Sequence, residues 1–394
     1  MGEQQTADVI VVGLGAFGSA TAYQLAKRGV RVIGIDQFSP PHDRGSSHGA
    51  TRITRLAVGE GEVYVPIVKR SQRIVQELEE ASGEKLFYRT GGLIMGVSDG
   101  TASHHGKPDF VRRTIDNAVR FDIPHEVLSG GEIARRYPQF ITQGDETAYF
   151  EPDSGVLIPE ACVRVQLDQA RALGASLRVN ERVLDIQESG NGVDVRTTAG
   201  SYSAAKVIVA GGPWVPSMSG GVVGKNLRVL RQTLHWFAVD EPTLYAPEAC
   251  PVFIWMHGSG DEDYMYGFPM IDGKAGVKVA SEQYRIETSP DDYARVVSPQ
   301  ESAAMFDAHV HGRLRSIRRE AVHSAACLYT VSTDSGFVVD AFRNMRNVKV
   351  VSACSGHGFK HSAGFGEMLA LDAMGIAPDD HTSGIADFSV SRFI

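Results

Sequence analysis

Apolar residues run along this chain in two rhythms, and the change from one to the other marks out its elements. Val9-Ile10-Val11-Val12 is an unbroken β-branched run, the pattern of a strand buried on both faces. Gly13-Leu14-Gly15-Ala16-Phe17-Gly18 turns the chain into the helically spaced segment Ala20 to Ala26, and Val30 to Ile35 predicts a second strand that ends on Asp36. Helical spacing returns from Glu62 to Ala81. Phe87 to Gly96 reads as a strand broken by paired glycines, and short helical patterns follow at Asp109 to Asn117 and Gly131 to Arg136. Glu160 to Leu173 predicts a helix, Ser176 to Asn180 a strand, and Val183 to Gln187 with Val193 to Thr197 a hairpin. Lys206 to Ala210 is another buried strand ending in glycines. Alternation over Leu227 to Asp240 and Val252 to Ala280 predicts antiparallel strands, and Ser298 to Leu314 is helical. The strand Asn347 to Ala353 then enters a glycine-rich turn, followed by a helix from Ser362 to Met374.

Length and composition narrow the function classes. A chain of 394 residues, 43% hydrophobic and 22% charged, predicts an ordinary globular protein of two domains. With 39 basic against 47 acidic side chains the net charge is −8, which argues against nucleic-acid or anionic-membrane partners. No apolar run approaches the roughly 18 residues of a membrane span, and the polar start Met1 to Gln5 lacks the features of a secretory leader, so a cytoplasmic location is expected. Cys162, Cys250, Cys327 and Cys354 are scattered, which predicts neither a disulfide framework nor a metal site.

The chemistry begins at the first glycine turn. Gly13 suits a tight turn, Gly15 a close approach of backbone to a pyrophosphate, and Gly18 close packing of helix on strand, while the helix N-terminus faces the phosphates. Asp36 lies eighteen residues beyond Gly18, at the tip of the next strand, where it can accept hydrogen bonds from ribose hydroxyls; this favours NAD or FAD over NADP. The polar loop Ser39 to Arg55 follows that strand and is expected against the cofactor. Glycine turns also follow Ala210 and Cys354, each after a β-branched strand, so three such turns should meet at one sheet edge. A two-part cofactor clamped along its length needs several, which favours FAD.

Seven runs carry a family resemblance: Gly45 to Ile53, Tyr64-Val65-Pro66, Phe150-Glu151-Pro152, Tyr266-Gly267-Phe268-Pro269, Cys327-Leu328-Tyr329-Thr330, Ser355 to Lys360, and the opening Gly13 to Gly18. In order and over nearly the whole chain, they resemble the monomeric sarcosine oxidase and N-methyltryptophan oxidase family of flavin amine oxidases. The resemblance implies an α/β fold with a Rossmann-like FAD-binding domain, discontinuous in sequence (1–90, 146–220 and 320–394), and an α+β substrate domain built on an antiparallel sheet (91–145 and 221–319). It implies FAD attached covalently through Cys327, with Ser46, Thr51, Val183, Gly211, Gly356, Gly358 and Lys360 among the residues around it. His48, Thr51 and Arg52 would lie beside the flavin, where a cation stabilises negative charge on the reduced ring. Arg55 and Lys360 would grip a substrate carboxylate, Lys278 would assist oxygen on the opposite flavin face, and Tyr329 would stand at the reacting centre. Cys354 is read as structural.

Two positions depart from the family, which has Tyr and His where this chain has Met265 and Glu282. Both are expected at the amine end of the pocket, beside Gly356. There a Met would widen the cavity, and a carboxylate would either favour a cationic substrate or turn to solvent. The expected activity is oxidation of a secondary-amine amino acid to an imine that hydrolyses, with O2 reduced to hydrogen peroxide, by a monomer. The competing readings are the same chemistry on a cyclic imino acid, iminodiacetate, glycine, another primary amine or a glycated amino acid, an NAD-dependent dehydrogenase, and a non-catalytic flavin subunit.

Overall fold

The computed structural model describes residues 5–100, 102–190, 192–260, 262–271, 273–377 and 384–394. Its first sheet begins with the predicted β-branched strands. Ser176–Arg178, Val32–Ile35, Gln5–Val12, Ser201–Val209 and Val348–Ser352 lie side by side and all parallel, with Val12 level with both Ile35 and Val209. Parallel alignment brings their carboxyl ends, and therefore the three glycine turns, to one edge. The hairpin Val183–Ser189 and Gly192–Thr197 extends the sheet antiparallel from Ser201–Val209, and Val338–Ala341 pairs with the last parallel strand. Helices Ala16–Lys27, Pro159–Ala172 and Ser362–Ala373 pack together over one face, joined by Tyr64–Ser82. Ala16–Lys27 is buried almost all round, which explains its small residues: a bulkier helix could not lie between the sheet and two neighbours.

The second sheet runs Ile317–Ser332, Leu227–Val239, Val277–Ala280, Tyr264–Gly267, Val252–Met256, Gly92–Val97, Glu146–Glu151, Glu126–Ser129. It is mixed rather than antiparallel, since Val252–Met256 pairs parallel with Gly92–Val97. The division expected from sequence also shifts: Glu146–Glu151 and the whole of Ile317–Ser332 hydrogen-bond into this sheet, not the first. The predicted helix after Ser298 is shorter, Pro299–Met305 followed by one wider turn through Val310. The paired glycines at 91 and 92 mark a real break, because Phe87–Arg89 joins a small separate sheet with Gly155–Leu157 and Arg52–Thr54.

The two faces of the second sheet do different work. One packs an aromatic core that includes Phe140, Phe253 and Trp255; the other carries Trp236, Ile254, Tyr266, Cys327 and Tyr329 toward the glycine-turn edge of the first sheet. Alternation along a strand sets this division: neighbours in sequence face opposite ways. No helix among the described residues is long and apolar enough to cross a membrane.

Candidate active site

Two chambers meet where the sheets approach. The larger, about 230 Å³, lies along the edge formed by the glycine turns and is lined by Gly13, Gly15, Asp36, Val183, Gly211 and Gly358 among others. Gly13 has φ +87°, a left-handed conformation, and a Cβ there would lie 2.4 Å from the Ala210 carbonyl oxygen. Gly18 packs still more tightly, with a would-be Cβ 1.7 Å from the Gly13 carbonyl oxygen, so only glycine closes this turn. Asp36 accepts the Leu14 amide at 2.7 Å and the Phe38 amide at 2.8 Å, which fixes its carboxylate at the end of the second strand. The buried hydroxyls of Ser46 and Thr330, residues of the chamber wall, have no hydrogen-bond partner among the described residues, and unpartnered polar groups are tolerated where a polar ligand completes them. This donor set fits a dinucleotide such as FAD.

The loop between the chambers is held by two carboxylates. Glu160 accepts the amides of Gly49 and Ala50, and Glu151 accepts those of Leu56 and Ala57 as well as the Tyr149 hydroxyl. So anchored, Arg52 spans the junction, donating to the carbonyls of Ser46, His48 and Thr51. Arg52, Tyr329, Gly356 and Phe359 line both chambers. Lys278 lies below this loop. Its ammonium donates to Gly49 O at 2.6 Å, Thr51 Oγ1 at 2.9 Å and Thr51 O at 3.2 Å, and sits 4.6 Å from the Phe268 ring centroid. His48 is buried nearby with Nε2 unpartnered, and burial together with Arg52 pushes it down to about 4, so it is neutral at physiological pH. Neither Lys278 nor His48 is part of a chamber wall.

The smaller chamber, about 70 Å³, holds an unusual density of buried charge. Arg55 and Lys360, from opposite ends of the chain, both reach Glu60: Arg55 at 2.9 Å to each carboxylate oxygen, Lys360 at 3.4 Å. The expected convergence is there, but with a third member that the sequence reading passed over. Glu60 is held well below the usual carboxylate range: its burial is outweighed by Arg55 and Lys360. Burial lowers Lys360 to about 8, only partly offset by Glu60. His105 lies between Glu60 and Glu282, its ring nitrogens 3.3 and 3.2 Å from the two carboxylates as ion-pair contacts outside hydrogen-bond geometry. It comes from the turn of a small hairpin, Ser103–His104 and Lys107–Pro108, in a stretch whose pattern predicted only mixed polar segments.

Glu282 faces this chamber, not solvent; it is 6% exposed and accepts hydrogen bonds from Tyr264 and Tyr284 at 2.5 Å and from Tyr329 at 3.0 Å. Met265 corrects the expectation: its side chain is fully buried in the aromatic core on the opposite face of the sheet, among Trp255 and Phe253. Its neighbours Tyr264 and Tyr266 point toward the chamber, and strand alternation forbids Met265 from doing so. Cys327 lines the smaller chamber beside Tyr329, and burial raises its thiol to about 11, with Arg52 and Lys278 acting to lower it. Cys354 lines the larger chamber.

A parallel sheet whose glycine turns close a chamber fit for a dinucleotide, opening onto a small charged one, is the arrangement of a nucleotide-binding fold. The chain belongs to the DAO family of FAD-dependent oxidoreductases, whose profile matches residues 8–371. It is 36% identical over 391 residues to a monomeric sarcosine oxidase of Bacillus sp. (strain B-0618), covering 98% of this chain and 96% of that one. It is also 31% identical to an N-methyl-L-tryptophan oxidase of Salmonella heidelberg (strain SL476), over 98% and 99% of the two chains. Among solved structures it superposes with TM-score 0.81 on NikD, described as an unusual amino acid oxidase essential for nikkomycin biosynthesis, covering 98% of both chains at 21% identity. That likeness bears on the fold.

Proposed function

We propose that this FAD-dependent oxidase acts on small N-methyl amino acids of the sarcosine type, with O2 as acceptor. The observation that carries the reading is the meeting of Arg55 and Lys360 in a chamber that shares Tyr329 and Gly356 with the dinucleotide cavity. Two cations against the one Glu60 leave a single positive charge, enough to receive one carboxylate where water is scarce. Ala57 O and Glu60 fix the Arg55 guanidinium, which presents it in one orientation to the group it receives. Leu234, Ile254, Tyr266 and Phe268 exclude water around it. A chamber of about 70 Å³, much smaller than its neighbour, favours the smaller of the two substrates named by the relatives. Bound in the larger chamber, FAD supplies the two-electron acceptor that O2 regenerates. Lys278 contributes a fixed positive charge beneath the loop that Arg52 spans, suited to an oxygen step that develops negative charge. Cys327 is the thiol offered for covalent attachment.

The test is a peroxide-coupled assay of sarcosine, N-methyltryptophan, proline, pipecolate, iminodiacetate and glycine, each N-methyl acid paired with its decarboxylated amine. Peroxide is expected with sarcosine and not with dimethylamine. Equal turnover of acid and amine would remove the carboxylate from the account. An intact mass equal to the bare chain, or attachment that survives Cys327→Ser, would overturn the thioether assignment.

A further inference from the structure

The two carboxylates of the smaller chamber are treated differently by their surroundings. Glu60 is neutralised by Arg55 and Lys360. Glu282 has no such partner: among the described residues its ion pairs comprise His105 alone, and His105 is shared with Glu60. Its other contacts are the three phenol hydroxyls of Tyr264, Tyr284 and Tyr329. Phenol donors stabilise a carboxylate but bring no net charge; burial lowers the His105 imidazole but Glu282 and Glu60 raise it further, so Glu282 has only a share of one imidazolium and its side of the chamber keeps the more negative potential.

That potential is aimed. Tyr329, which holds one Glu282 oxygen, also lines the dinucleotide chamber, as does Gly356. A Cβ on Gly356 would sit 2.9 Å from His105 Nε2, 3.2 Å from the Tyr284 hydroxyl and 3.2 Å from the Tyr329 ring, so the main chain closes directly on this cluster. Glu282 therefore stands at the end next to the larger chamber, where Arg52 also reaches the junction, and Arg55 with Lys360 forms the positive end, one imidazole away. An α-amino acid has the matching dipole, with carboxylate and nitrogen separated by a single carbon.

We propose that Glu282 is the counter-ion for the positive charge that oxidation of a neutral amine leaves at the substrate nitrogen, which makes the chamber complementary to the iminium. The inference rests on the amino acid oxidase reading above and adds the group that recognises the nitrogen. When a neutral secondary amine loses a hydride equivalent from the adjacent carbon to the flavin, the nitrogen lone pair becomes the second bond of C=N, and the formal charge on nitrogen rises from zero to plus one. A carboxylate preorganised in a water-poor site stabilises that change. Burial raises the Glu282 carboxyl, but His105, His104 and the Tyr264 hydroxyl more than offset it and hold it at about 2. It is thus a counter-ion and not a base, since a group so acidic cannot take a proton from an ammonium. Among the described residues the charged and titratable groups facing it are His104, His105, Tyr264, Tyr266, Tyr284, Cys327, Tyr329 and Lys360, with Arg52 in the same chamber wall; of these Lys360 and His105 are also bound to Glu60. A second substrate carboxylate near the nitrogen, as in iminodiacetate, would meet repulsion.

The experiment is equilibrium binding to the flavin-loaded full chain, read as perturbation of flavin absorbance, with two acetates that cannot be oxidised as amines. Methylthioacetate is neutral at the position of the nitrogen, and dimethylsulfonioacetate is cationic there. The wild type is expected to prefer the cation by tenfold or more, Glu282→Asp to keep a preference of the same sign, and Glu282→Gln to abolish it. A wild type that binds both equally overturns the proposal, even if Glu282→Gln fails to fold or to hold flavin. A folded Glu282→Gln that weakens both ligands by the same factor, leaving the ratio intact, assigns Glu282 to packing and also overturns it. If methylthioacetate binds without any preference for the cation, the proposal alone falls. If neither acetate perturbs the flavin, the amino-acid reading falls and carries the proposal with it.

Discussion

The two chambers are built from different materials. The dinucleotide chamber is made mostly by backbone: glycines that bring main chain close, strand ends in parallel register, and one aspartate that ties down two amides. The smaller chamber is made by side chains, above all the buried charges of Arg55, Glu60, His105, Glu282 and Lys360, delivered from separate parts of the chain. A backbone-built site tolerates no extra atoms and holds its ligand by shape. A charge-built site tolerates reshaping but not the removal of one partner, because the remaining ion is left buried and unpaired.

That contrast can be broken most violently at the turn. Gly18→Ala puts a methyl group 1.7 Å from the Gly13 carbonyl oxygen, so the strand and helix cannot both stay in place. A stability loss above about 4 kcal/mol is expected, with loss of bound flavin, measured by thermal melting and by flavin content. A variant that melts normally and holds flavin would mean the turn has slack that its geometry denies. Next is Glu60→Gln, which removes the carboxylate between Arg55 and Lys360. The expected cost is about 3–5 kcal/mol in denaturant unfolding; a loss under about 1 kcal/mol would show that water or His105 replaces it.

Lys278 belongs to both halves of the comparison, being a side-chain charge fixed by main-chain carbonyls. Lys278→Met is expected to slow reoxidation of the reduced protein by O2 about 100-fold, roughly 2.7 kcal/mol, while anaerobic reduction changes far less. Equal losses in both half-reactions would reduce it to packing. The smallest effect is titration of the clamp itself. With burial lowering Lys360 to about 8, its charge is present below that pH and lost above it, so carboxylate affinity should fall as pH rises through about 8. The change approaches tenfold per unit, about 1.4 kcal/mol, and should vanish in Lys360→Met. A wild-type profile flat from pH 7 to 10 would take Lys360 out of carboxylate binding.

The same contrast explains what was legible in the sequence. The first turn, Asp36 and the parallel strands declare themselves because backbone constraints fall at fixed spacing: glycine where no Cβ fits, β-branched runs where both faces are buried. Arg55 and Lys360 were readable through family resemblance only, since nothing local links them. Glu60 stands between two glycines with no periodic signal, and His105 sits in a two-residue hairpin too short to leave a pattern. Apart from Arg55, five residues before Glu60, their partners are distant in the chain, so their role exists only in three dimensions. Met265 is a different case: once the structure places its neighbour Tyr266 in the chamber wall, strand parity sends residue 265 to the other face. Glu282 follows the last residue of Val277–Ala280 by two and is past the reach of that parity, which is why its direction needed the structure.

The central claim is that a small N-methyl amino acid, held by the charged chamber, delivers electrons to the flavin in the glycine-built one. Anaerobic addition of sarcosine to the purified, flavin-loaded protein tests it directly. The account predicts complete bleaching of the oxidised flavin spectrum by one equivalent of sarcosine, and its recovery on admitting O2 with one equivalent of hydrogen peroxide. A flavin that stays oxidised at saturating sarcosine would contradict it.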